Sequence, residues 1–100
     1  NAFVATDDYS VIEQLQQNFP QWTITTLCTA AERGYDHGTF LKLSKQEKFD
    51  SLIRLFAEMD ILEQSEQFIG TFSSNIGMNM GFRLDENKLT GLDFDKWQMW

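Results

Sequence analysis

Gln67-Phe68-Ile69-Gly70-Thr71-Phe72-Ser73-Ser74-Asn75-Ile76-Gly77-Met78-Asn79-Met80 opens as an apolar run and closes as a polar turn that leads into a helical pattern. A short apolar run bounded by Ser73-Ser74-Asn75 is the signature of a buried parallel strand that hands small polar residues to a helix start. Such a start presents free backbone N–H groups and the positive end of the helix dipole, which makes this turn a candidate phosphate seat. The plainer reading is that Ser74 caps a short helix over about 74 to 80, since Ser and Asn are ordinary N-caps.

Upstream of this strand, Ser44-Lys45-Gln46-Glu47 matches a capping box, with Ser44 satisfying the Glu47 N–H and the Glu47 side chain returning to Ser44. Phe49, Leu52, Ile53, Phe56, Met59 and Leu62 then recur at three- and four-residue spacing. They predict the buried stripe of a long helix over about 45 to 64, with Lys48, Asp50, Arg54 and Glu63 facing water. Thr29 to Leu43 carries Gly34, Asp36 and Gly38 with little periodicity, and predicts a long exposed loop with a binding or lid role. Trp22 to Leu27 is β-branched and aromatic and predicts a strand. Val11, Ile12, Leu15 and Phe19 mark a helix over about 9 to 19 that Pro20 stops. Ala2 to Thr6 predicts the first strand, ending in Asp7-Asp8, either of which can cap that helix. Strand, helix and strand with short connections form a βαβ unit with a right-handed crossover. Beyond the organising strand, Gly77 and Gly81 interrupt the short helix, Leu89 to Phe94 is a candidate last strand, and Trp97 and Trp100 suggest a packing surface.

The 100 residues, 42% of them hydrophobic, suffice for one small core. A net charge of -7, with only 8 Lys and Arg, argues against binding to nucleic acid or anionic membrane, because both require clustered cations. No run approaches the roughly 20 apolar residues of a membrane span. Cys28 is the one cysteine, which excludes an internal disulfide and a cysteine-based zinc site. The chain begins inside a strand-like run without an initiator Met, so a piece of a longer protein is expected.

In open α/β sheets the ligand crevice lies beyond the carboxyl ends of the strands, and here two such ends carry polar residues, Asp7-Asp8 and Ser73-Ser74-Asn75. Glu58, Asp60 and Glu63 add carboxylates late in the long helix, most of which would be solvated surface by default. One that faced the crevice could take both N–H donors of a guanine edge. The dinucleotide, phosphate-loop and nucleophile-elbow glycine motifs are missing, and His37 stands without a second imidazole.

Ala5-Thr6-Asp7-Asp8, the strand after Phe19-Pro20, the variable loop, Glu58 near a helix end and Phe68 to Asn75 resemble, in this order, the C-terminal donor-binding part of the α-1,6-fucosyltransferases. The likeness covers about residues 2 to 80. It implies a GT-B-like fold and metal-independent, inverting transfer of fucose from GDP-fucose to the innermost N-acetylglucosamine of N-glycans, or to chito-oligosaccharides in bacterial relatives. It also implies the Golgi lumen for a eukaryotic member. Asp7 and Asp8 match the acidic pair beside the donor, Glu58 the guanine-pairing acid, and Ser73 and Ser74 the serines at the diphosphate, with Asn75 beside them. Glu58 stands where vertebrate-type members have Asp, and Met78 where an Arg commonly follows the Ser-Ser turn. The family's His-x-Arg motif and acceptor-binding N-terminal half are not in this chain, so these residues by themselves are expected to be inactive.

The sequence therefore predicts one α/β domain over 1-100, part of a Rossmann-like parallel sheet with flanking helices. Its partners would be a nucleotide sugar, a glycan acceptor and the missing half of the enzyme, with no cofactor. A non-catalytic α/β binding or interaction module and a different nucleotide-sugar transferase are the alternatives.

Overall fold

The computed structural model describes residues 1–98. It is an α/β fold of short parallel strand pairs and helices, and it divides into two compact units, Asn1–Glu58 and a second from Met59 onward.

In the first unit, β1 (Ala2–Phe3) leads through Asp7-Asp8 into α1 (Tyr9–Asn18), and β2 (Ile24–Thr25) pairs with β1 in parallel, Ala2 opposite Ile24. This is the βαβ order expected, with strands cut to two residues. Thr26 Oγ1 extends the pairing by donating to the Val4 carbonyl at 2.7 Å. Asp8 caps α1 by accepting from Ser10 N at 3.0 Å. The helix stops before Pro20, where Phe19 stacks on Trp22 at 4.2 Å. Ile12 is fully buried, and Cys28 lies buried after β2.

The segment expected to be one long loop contains a short helix, α2 (His37–Leu41). Asp36 caps it, accepting from Thr39 N at 2.8 Å and Thr39 Oγ1 at 2.6 Å. The segment is also tied back to the α1 start, with Tyr9 N donating to the Glu32 carbonyl and Gly34 N to the Asp7 carbonyl, both at 2.9 Å.

Helix α3 (Lys45–Glu63) begins with the predicted box: Glu47 N donates to Ser44 Oγ at 3.1 Å and Ser44 N to Glu47 Oε2 at 3.4 Å. Its buried face differs from the expected one. Phe49, Leu52, Ile53 and Phe56 are 47 to 58% exposed, whereas Glu58 is buried and Arg54 and Leu55 are partly so. Strands of two residues present too little inward surface to cover four large side chains. An ion-paired Arg54–Glu58 pair is able to take the inner side instead.

In the second unit Met59 and Leu62, on the last turns of α3, are buried as expected, together with Phe68, Phe72, Met80 and Leu84. Strand β3 (Phe68–Gly70) pairs in parallel with β4 (Leu89–Gly91), Phe68 opposite Leu89. The strand pairs are thus two separate two-stranded sheets. Between β3 and β4 lie α4 (Asn75–Arg83) and a 3-10 turn (Glu86–Lys88). The expected interruption of α4 does not occur. Gly77 sits inside the helix because a Cβ there would collide with the Thr71 carbonyl at the strand end, and Gly81 because the Trp97 indole occupies that place. Trp97 meets Phe82 edge-on at 5.1 Å, while Trp100 lies outside the described residues.

Candidate functional site

In the first unit the carboxyl end of β1 is a charged cluster around Arg54. From α3, its guanidinium reaches the Thr6 carbonyl (Nη2, 3.1 Å), Glu58 one turn later (Nε to Oε1, 3.2 Å) and the Glu32 carboxylate. One cation so fixes a strand end, a connecting segment and a helix. Glu58 is 6% exposed, and Arg54 is the one hydrogen-bond partner of its carboxylate among the described residues. Burial pushes the Glu58 carboxyl above the ordinary range against the pull of Arg54, and the negative charges of Glu32 and Asp7 add to the rise. Burial acts on Glu32 in the same direction, but bonds from Thr29 and Arg54 outweigh it and leave that carboxyl below its ordinary value. Of the three late carboxylates, Glu58 is not solvated surface. Asp60 and Glu63 are exposed and share Arg83 at 3.2 and 2.9 Å.

Of the acidic pair, Asp8 is engaged as the α1 cap, and its bonds from Ser10 hold the carboxyl below the usual range. Asp7 is exposed, and its carboxylate has no hydrogen-bond partner among the described residues. It borders an open cleft of about 330 Å³ whose walls include Arg33, Tyr35, Asp36, Phe40 and Ser51. The 29-to-43 segment thus forms one wall of a cleft beside Asp7. His37 is exposed with Nδ1 at 2.9 Å from the Tyr35 hydroxyl, and no group of three or more His, Cys, Asp or Glu suited to a metal ion occurs among the described residues.

Ser73, Ser74 and Asn75 belong to the second unit. Ser74 is the N-cap of α4, accepting from Gly77 N at 3.0 Å and donating to the Thr71 carbonyl at 2.9 Å. Asn75 opens the helix with its carbonyl bonded to Asn79 Nδ2. Ser73 is held by a residue that sequence reasoning missed. The Asp93 carboxylate accepts from Phe72 N at 2.7 Å, Ser73 N at 3.0 Å and Ser73 Oγ at 2.6 Å. The Ser73 hydroxyl foremost, helped by the backbone N–H groups of Phe72, Ser73 and Asp93 itself, lowers the Asp93 pKa to about 2. In this structure the donors of Phe72 N, Ser73 N and Ser73 Oγ are thus taken by the chain's own carboxylate.

Arg54 was legible in principle, four residues before Glu58 on one helix face. Asp93, twenty residues from its partner, left no local signal. No family model, curated protein or solved structure matches this chain, and no helix among the described residues is long and apolar enough to cross a membrane.

Proposed function

We propose that this chain is the donor-binding part of a fucosyltransferase-like glycosyltransferase. It would bind GDP-fucose in a Rossmann-like half of a GT-B enzyme, for transfer to an N-acetylglucosamine of a glycan. The observation that carries the reading is Glu58, a helix carboxylate buried beside the carboxyl end of β1, with the Thr6 carbonyl and Glu58 on the same guanidinium. Strand carboxyl ends are where open α/β folds bind nucleotides, and a carboxylate is the acceptor a guanine edge requires. One Glu58 oxygen has no protein partner among the described residues, and the other has a lone pair left beyond its bond from Arg54. The resemblance would assign Asp7 and Asp8, in the first unit, to the acidic pair beside the donor, and separately Ser73 and Ser74, in the second unit, to the diphosphate, with Asn75 next to them.

Competition binding of GDP and UDP tests the assignment. Glu58→Gln keeps the shape but turns one acceptor into a donor facing a donor, so GDP is expected to lose about 2 kcal/mol. UDP, which lacks that pair of donors, should lose little. Glu58→Asp, the residue of the resembled family, should be tolerated. Equal weakening of both nucleotides, or of neither, leaves Glu58 as a structural partner of Arg54 and returns the chain to the non-catalytic module.

A further inference from the structure

The segment after β4, Leu92 to Gln98, has no regular secondary structure and is fastened at two points to the β3–α4 hairpin. One is Asp93, which saturates the donors of Phe72 N, Ser73 N and Ser73 Oγ. The other is Trp97, whose indole fills the space above Gly81 and meets the Phe82 ring. The two anchors differ in quality. Asp93 makes three bonds of 2.6 to 3.0 Å, all from donors of the turn. The Trp97 Nε1–H is buried without a hydrogen-bond partner among the described residues, a desolvated donor that opposes the closed arrangement. Gly81 has no side chain to resist the departure of the ring.

We propose that Leu92 to Gln98 is an autoinhibitory strap, in which Asp93 stands in for the phosphate of a ligand at the Ser73 turn and must leave before a diphosphate can bind. The inference rests on the assignment of Ser73 to the diphosphate. Ser73 cannot donate its one hydroxyl proton to Asp93 and to a phosphate oxygen together, and the Asp93 carboxylate would repel a neighbouring phosphate. Binding is therefore an exchange of one anion for another. The buried indole N–H lowers the cost of opening, because release returns it to water.

Titration with inorganic pyrophosphate tests the strap, followed by backbone amide shifts at Ser73 and by the fluorine resonance of 5-fluorotryptophan at Trp97. Asp93→Asn weakens one anchor and Trp97→Ala removes the other, and each is expected to bind pyrophosphate about tenfold more tightly than the parent chain. In the parent chain the Trp97 resonance should move with the Ser73 shifts. A purely structural brace gives the opposite result, since loosening the turn weakens binding. If pyrophosphate shifts Ser73 in the parent while neither variant binds more tightly, the strap is overturned and the diphosphate assignment stands. If Ser73 responds in none of the three proteins, the diphosphate assignment fails, and the strap with it.

Discussion

Glu58 and Asp93 are carboxylates whose surroundings act in opposite senses, and the pH dependence of folding separates them. Glu58 is itself buried, with two other acids near, so its folded pKa lies above the ordinary 4.5. Between 4.5 and that raised value the folded chain keeps a proton that the unfolded chain has released. Stability from this group therefore falls as pH rises through the window. Asp93 is the reverse, because its folded pKa of about 2 lies under the ordinary 3.8. Its contribution is present above 3.8 and is lost as pH falls through about 2. Denaturant titrations across the upper window should show a flatter pH profile for Glu58→Gln than for the parent, with the acid limb below 3.8 unchanged. An equally steep upper limb would mean that Glu58 does not exchange its proton differently on folding.

Among the elements, α3 shows what local chemistry decides and what it does not. Its start is set by Ser44 and Glu47, three residues apart, and needs nothing from the rest of the chain. Ser44→Ala should lower stability by about 1 kcal/mol through loss of the cap, and thermal unfolding in one buffer measures it. Equal melting would show that the helix is held entirely by packing. Helix caps at Asp8, Ser44 and Ser74 were legible for the same reason, as was the parallel βαβ order. The face that α3 buries was not legible. Spacing marks Phe49, Leu52, Ile53 and Phe56 as a stripe, but spacing carries no information about whether a surface exists to receive it. Burial of Glu58 likewise depends on Arg54 and Glu32, which meet only through tertiary folding. The α2 turn was hidden by glycines at 34 and 38, although Asp36 and Thr39 already had cap spacing.

Across the molecule, the strand segments were each identifiable, while their partners were not, because sheet order is settled by contacts distant in sequence. Ala2 finds Ile24 and Phe68 finds Leu89, giving two small sheets where a single sheet was expected. Two compact units need not open together, and a probe confined to one of them can tell. Cys28 is such a probe: its thiol is 6% exposed, lies in the first unit, and is held above its ordinary pKa first by burial and then by the charge of Glu32. A thiolate-selective reagent should therefore react far more slowly with the native chain than with the denatured one, and the ratio of rates measures opening around β2. Native and denatured rates that agree would contradict the burial of Cys28. With a single sulfhydryl in the sequence, every modified molecule counts one opening event around Cys28, so this side chain serves as a stopwatch placed inside the first unit.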